Sequence, residues 1–230
     1  MTYGFLVNNN AGFKQFDDTF SSYRLLGSGV GSSGAVVSFS GADGGPALIL
    51  IRPTAYGQWV GAQMYKTQNT SFKCHVWSKT VSNGFSYFTP TSGAFSYQIY
   101  VANRDFPITA SGYGLLINSS TGERVLDTKF PPLRIDSVNY NPPSASGSVT
   151  INLASSSFNR YATLNSTGCA NLFMGGVYGV VLTFTSNNTC IYETGILSLP
   201  TSGGRPVYDI ATPAYESFML SLDPLLIGGY

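Results

Sequence analysis

The chain has 230 residues, of which 10% are charged and 43% hydrophobic, with aromatics at 14% and a formal net charge of +1. This length carries one large or two small domains with a sizeable core. Low charge with ordinary hydrophobicity argues against a disordered tail, and near-neutrality without clustered Lys and Arg argues against a nucleic-acid partner. No apolar run reaches bilayer-spanning length, so no membrane insertion is expected. The opening MTYGFLVNNN lacks a basic segment followed by an apolar one, so no signal peptide is expected.

In chain order, the first segment is also the most informative, because it recurs. Residues 3–27 read YGFLVNNNAGFKQFDDTFSSYRLLG, and residues 113–137 read YGLLINSSTGERVLDTKFPPLRIDS. They align without a gap at an offset of 110, with eight of 25 positions identical: Tyr3/Tyr113, Gly4/Gly114, Leu6/Leu116, Asn8/Asn118, Gly12/Gly122, Asp17/Asp127, Phe20/Phe130 and Arg24/Arg134. Chance alone yields roughly two such identities, so the segment is read as an internal repeat. Alternation at Tyr3–Asn8, a turn over Asn8–Gly12 and a return strand to Asp17 predict a β-hairpin in each copy. Glycine at the turn supplies a positive φ without steric cost. A further strand follows near Arg24–Leu26 and Arg134–Ile135, and the repeated Asp and Arg suggest an ion pair inside each unit.

Beyond the repeat, the pattern predicts first-half strands at Ala35–Phe39, Ala47–Ile51, Gln58–Tyr65, Ser71–Lys79, Gly84–Phe88 and Phe95–Ala102. Second-half strands are expected near Ser148–Leu153, Arg160–Leu164, Leu172–Thr185, Thr189–Leu199 and Pro206–Ala211. Tyr97–Ala102 and Val207–Thr212 stand at the repeat offset as matching closing strands. Turn signals separate the strands at Gly41–Pro46, Ser82–Gly84, Asn141–Gly147, Ser186–Asn188 and Thr201–Gly204. The expected fold is all-β: two tandem antiparallel β-sandwich domains from an internal duplication, residues 1–106 and 112–230. Tyr215, Phe218, Met219 and Leu222 fit a helical period, while Phe218, Leu220 and Leu222 also alternate as a strand. The apolar tail ending DPLLIGGY has no counterpart in the first half and packs either on its own domain or on a neighbouring subunit.

Tests for chemistry mostly fail. The single histidine, His75, lies in the apolar run FKCHVW and has no G-x-S-x-G elbow to serve. One His and three scattered cysteines, Cys74, Cys169 and Cys190, make no zinc site of usual spacing. The cysteines read as small buried hydrophobes, with a Cys169–Cys190 bridge open only if facing strands bring them together. Gly29, Gly31 and Gly34 spell G-x-G-x-x-G, but a strand pattern rather than a helix follows, so the glycines read as a loop between strands and not as a nucleotide site. Sequons at Asn69, Asn118, Asn165 and Asn187 are expected by chance in so Asn- and Ser-rich a chain. No catalytic residue, metal or cofactor is expected. Tyr56 and Trp59 are the candidate surface or ligand contacts, since aromatic faces near loops stack on sugar rings. Core packing of both is the competing reading.

The segment carried by Tyr3, Gly4, Phe5, Val7, Asn8, Gly12, Asp17 and Arg24, repeated from Tyr113 to Arg134, resembles the N-terminal part of small tail-tip and tail-fibre-associated (baseplate) proteins of long-tailed bacteriophages. The resemblance spans about 25 residues of each half. It implies a non-enzymatic virion protein of the distal tail, assembled in the host bacterial cytoplasm, docking on other tail or baseplate proteins and contacting a host surface receptor. It also implies a homo-oligomer, with a trimer favoured. The alternatives are a carbohydrate-binding module, an adhesin subunit and a depolymerase with two carboxylates across a cleft.

Overall fold

The computed structural model describes residues 6–8, 14–17, 23–40, 47–61, 71–102, 114–118, 121–122, 124–129, 133–139, 147–155, 159–163, 169–171, 177–198, 201–202, 205–206 and 225–229. Among these the regular structure is entirely strand. The first half runs β1 (Leu6–Asn8), β2 (Lys14–Asp17), β3 (Tyr23–Ser32), β4 (Val36–Ser38), β5 (Leu48–Pro53), β6 (Trp59–Gly61), β7 (Ser71–Lys73), β8 (His75–Ser82), β9 (Phe85–Thr91) and β10 (Ala94–Ala102). The second runs β11 (Leu116–Asn118), β12 (Arg124–Asp127), β13 (Arg134–Asn139), β14 (Ser148–Asn152), β15 (Tyr161–Thr163), β16 (Cys169–Asn171), β17 (Val177–Ser186), β18 (Thr189–Leu197), β19 (Thr201–Ser202), β20 (Arg205–Pro206) and β21 (Leu225–Gly229).

The repeated segment forms the same hairpin twice. In β1–β2 the partners are Leu6↔Asp17, Val7↔Phe16 and Asn8↔Lys14; in β11–β12 they are Leu116↔Asp127, Ile117↔Leu126 and Asn118↔Arg124. Every pair keeps the offset seen in sequence, and both hairpins carry a register shift at the same place. Gly122 in the second turn has φ +84°, the left-handed region that glycine enters without strain.

The strands do not segregate into two tandem sandwiches. Both large sheets draw on both halves of the chain. The six-stranded sheet runs β13-β21-β15-β5-β10-β3, antiparallel throughout. Its first-half strands β3, β10 and β5 meet the second-half strands β15, β21 and β13 at the β5–β15 pair, where Ile51 faces Ala162 and Leu50 faces Thr163. β5 is the sequence LILIRP, and from Ile49 onward every residue is buried. A strand apolar on both faces needs neighbours on both edges and cover on both sides. β10 occupies one edge and β15 the other. The sheet also curls: Leu133 N–H donates to Tyr23 O at 2.9 Å, joining the starts of its two outermost strands. The C-terminal tail settles inside this sheet, with β21 between β13 and β15 and Ile227 wholly buried. Residues 213–222, read as helix or strand, and the closing strand 207–212 lie outside the described residues.

The seven-stranded sheet closes on itself. β17 pairs with β18, β18 with β9 in parallel, β9 with β8, β8 with β6, and β6 returns to β17. β14 extends from β18 and β16 from β17. Asn83 (φ 50°) and Gly84 (φ 79°) make the two-residue turn between β8 and β9, as their Asn-Gly sequence predicts. Alternation then divides the sheet's side chains between two cores. One face turns Val60, Val76, Val180, Leu182, Phe184, Cys190 and Tyr192 against Ile49, Ile51, Phe95, Ile99 and Ile227 of the six-stranded sheet. The other lines the closed ring with one large side chain per strand: Trp59, Trp77, Phe88, Val181 and Leu197.

Gly29 and Gly31 do not sit in a loop, contrary to the sequence expectation. They lie inside β3 opposite Tyr97 and Phe95. A Cβ at Gly29 would meet the Tyr97 hydroxyl at 2.7 Å and its ring at 2.9 Å, and one at Gly31 the Phe95 ring at 2.5 Å, so the missing side chains make room for aromatic packing. Gly195 does the same where β18 meets β9: a Cβ there would approach Phe88 Cε2 at 2.5 Å and the Ser86 carbonyl oxygen at 2.6 Å. Because one obstacle is backbone, Gly195→Ala is expected to open the ring and lower stability by about 1–3 kcal/mol, measured as a reduced urea midpoint. An unchanged midpoint refutes the closure at this crossing.

Candidate functional site

Within β5, Arg52 is a charge in an otherwise apolar run, and it organises the end of the molecule where the chain passes from one large sheet to the other. Residues 54–58 make that passage, anchored by the Gly57 N–H donating to Phe184 O at 2.9 Å. Arg52 is 9% exposed. Its Nη1 donates to Asn187 Oδ1 (3.0 Å) and Arg160 O (3.3 Å), and its Nη2 to the Tyr56 hydroxyl (3.1 Å). The Tyr56 hydroxyl in turn donates to Asn187 Oδ1 at 3.2 Å. The guanidinium carbon lies 5.4 Å from the Tyr56 ring centroid and 5.5 Å from that of Phe184. Such stacking suits the weakly hydrated, planar arginine head.

A second buried arginine braces the same corner. Arg160, 2% exposed, donates from Nε to Asp136 Oδ2 (2.9 Å) and from Nη1 to Asn187 O (3.1 Å) and Asn188 Oδ1 (3.3 Å). Asp136 also accepts from Arg134 Nε at 3.1 Å. The two-residue turn Asn187–Asn188 between β17 and β18 is thereby fastened to the six-stranded sheet. Its Asn187 amide is committed to Arg52 and Tyr56.

Beside this network is an open cleft of about 350 Å³, lined by Arg52, Pro53, Thr54, Ala55, Tyr56, Ser96, Asn159 and Tyr161. Its volume falls at the low end of ligand-sized clefts, roughly 300–1,000 Å³. Tyr56 is 55% exposed and forms one wall. Trp59 goes elsewhere. It packs inside the closed ring, edge-on to Phe88 with centroids 5.4 Å apart, with Lys79 Nζ 5.2 Å from its own ring centroid. Lys79 pairs with Glu193 Oε2 at 2.7 Å, and Ser86 Oγ donates to Glu193 Oε1. The two aromatics that the sequence put forward together therefore serve different places.

The remaining sequence candidates are structural or lie outside the described residues. Tyr3, Gly4, Gly12 and Tyr113 fall outside them; Asn8 and Asp17 are described in backbone only. At Gly114 a Cβ would come within 3.2 Å of Thr128 Oγ1, and Asn118 pairs within its hairpin. An ion pair also links the two units: Arg24 Nη1 lies 3.9 Å from Asp127 Oδ2, a first-half arginine on a second-half aspartate, while the Asp17 side chain of the pair expected within the first unit lies outside the described residues. Arg134 also meets Asp136, at 3.1 Å. The curl of the sheet, which joins Tyr23 to Leu133, brings the copies close enough for the Arg24–Asp127 pair. Cys74 and Cys190 are free thiols in the core between the sheets, so Cys190 makes no bridge to Cys169. Among the described residues no three His, Cys, Asp or Glu side chains gather as metal ligands.

Arg52, Arg160 and Asp136 were not singled out from sequence, and Asn187 only as a chance sequon. The visible signal was a lone cation in a buried apolar strand, which must find hydrogen-bond partners or a ligand. Comparison with protein-family models, curated proteins and solved structures returned no match.

Two outcomes follow from this geometry. Asp136→Asn leaves Arg160 buried beside a neutral amide, and a loss of about 3–5 kcal/mol in denaturant unfolding is expected; a loss within error refutes the bracing role. Burial pushes the Cys74 and Cys190 thiols above their ordinary range. Folding thus holds both protonated, so their contribution to stability is full below the unfolded thiol pKa and is lost as pH rises through and beyond it. At pH 8, a thiol-reactive chromophore should leave these two untouched in the folded chain and label them after denaturation. Rapid labelling of either in the native protein contradicts its burial.

Proposed function

We propose that this chain is a structural protein of a bacteriophage virion, placed at the distal tail, where it docks on other tail, baseplate or fibre proteins. We read its two halves as copies of one duplicated unit that share their sheets. The observation that carries the reading is the recurrent Y-G-x-L-x-N…G…D…R segment, which resembles tail-tip proteins and folds in both copies as a hairpin of the same register. The low charge supports it, because charged residues are depleted in the buried centres of protein interfaces. So do the interlocked halves, which suit a part that must hold its shape under load. Its work is binding without a chemical step: burial of surface between subunits, with exposed loops at the end of the tail facing the host. The proposed assembly is a homo-oligomer, a trimer favoured, formed in the bacterial cytoplasm.

The genes flanking this chain test the proposal. Tail-tip, baseplate or fibre genes are expected on both sides. Native mass measurement should then give a complex between this chain and at least one of their products. Flanks without tail genes, or neighbours that form no complex at micromolar concentration, overturn it.

A further inference from the structure

A guanidinium carries five N–H donors in a fixed plane. Arg52 directs two of them, on Nη1, to Arg160 O and Asn187 Oδ1, and one, on Nη2, to Tyr56. The Nε–H and the second Nη2–H remain, and they lie side by side along one edge of the plane. That edge is the fork which matches the two oxygens of a carboxylate. Among the described residues no carboxylate meets it, although Arg52 is nine-tenths buried and lines the open cleft. Arg160, by contrast, has Asp136 on its Nε. The fork is held rigid by its three hydrogen bonds and by the Tyr56 and Phe184 rings, so a ligand would not have to order it.

The rest of the cleft selects among anions. Its described lining has no acidic side chain. It offers the Ser96 hydroxyl, the exposed Asn159 amide and the rings of Tyr56 and Tyr161, together with the Thr54 hydroxyl oxygen, whose proton goes to Ala94 O and which is left to accept. Hydroxyls and an amide serve the alternating donors and acceptors of a sugar, and a tyrosine face packs on its C–H surface. A volume of about 350 Å³ holds a monosaccharide and part of a neighbour.

We propose that this cleft binds a carboxylated sugar, with the sugar carboxylate in the free fork of Arg52 and the ring against Tyr56. The inference stands on the cleft and does not require the tail assignment. Were both true, the acidic sugar is what the distal tail meets on the host surface.

The experiment uses the full chain and isothermal titration with D-glucuronate, with D-glucose as the neutral counterpart and acetate as the bare anion. Saturable binding of glucuronate is expected, at least about tenfold tighter than either control. Arg52→Lys, which keeps the charge but loses the fork, should weaken it by about tenfold. Asn159→Ala provides the second variant, since Asn159 is exposed and its removal leaves the Arg52 network intact; a weakening of about threefold to tenfold is expected. No glucuronate binding overturns the proposal, and so does acetate or glucose binding as tightly. Unchanged affinity in a folded Arg52→Lys overturns the fork; if that variant fails to fold, unchanged affinity in Asn159→Ala overturns the site. Native mass of the tail complexes is read separately, so loss of docking with sugar binding retained counts against the tail reading alone.

Discussion

The pairing of β5 with β15 is the contact on which the rest of the molecule depends. It joins strands about 110 residues apart in the chain through Ile51–Ala162 and Leu50–Thr163. Closing so long a loop costs conformational entropy that grows slowly with length, and hydrogen bonding along a buried strand with burial of its aliphatic residues repays it. Once formed, the pair turns two groups of three strands into one sheet. It also brings Arg52 and Arg160 to the same corner, since Arg52 stands near the end of β5 and Arg160 directly precedes β15. Without that pairing, the Arg52–Asn187–Arg160–Asp136 network has no scaffold.

The two large sheets solve the problem of exposed edges differently. The seven-stranded sheet rolls until β6 meets β17, and the ring fills with five large side chains and one ion pair, Lys79–Glu193. The six-stranded sheet curls only far enough for its outer strands to touch at Tyr23 and Leu133. In both, the glycines opposite Phe95, Tyr97 and Phe88 are where a ring lies across a neighbouring backbone. Rigidity at the ring and at the braced corner leaves the adjoining cleft as a preformed concavity, the arrangement in which binding groups lose least entropy on meeting a ligand.

Strand positions were largely legible in the sequence. Period-two alternation at Phe95–Ala102 and Ser148–Leu153 reports local geometry, and the Asn83-Gly84 turn carries its own dihedral requirement. The exception among the local features is β3, where Gly29 and Gly31 weaken the strand pattern and only the partner rings explain them. The candidate site was half legible. Tyr56 is where a loop aromatic was expected, on the surface beside a cleft, while Trp59, three residues on, faces the interior of a ring that no local pattern announces. The Asp–Arg repeat gave no hint of the pair between units, because Arg24 and Asp127 are brought together by the curl of the sheet.

What the amino-acid sequence determined alone is the all-strand character and the twice-made hairpin, since alternation, turn residues and a repeated segment act over a few residues. Which strands become neighbours, and hence the merging of both halves into shared sheets, was decided by the tertiary structure. The physical reason is that an apolar strand edge accepts any partner that buries it and satisfies its backbone, so LILIRP specifies burial on both sides without specifying by what. The arginine corner belongs to the same class: its charge was visible in sequence, but the amides, carbonyls and rings that surround it come from four separate stretches of chain.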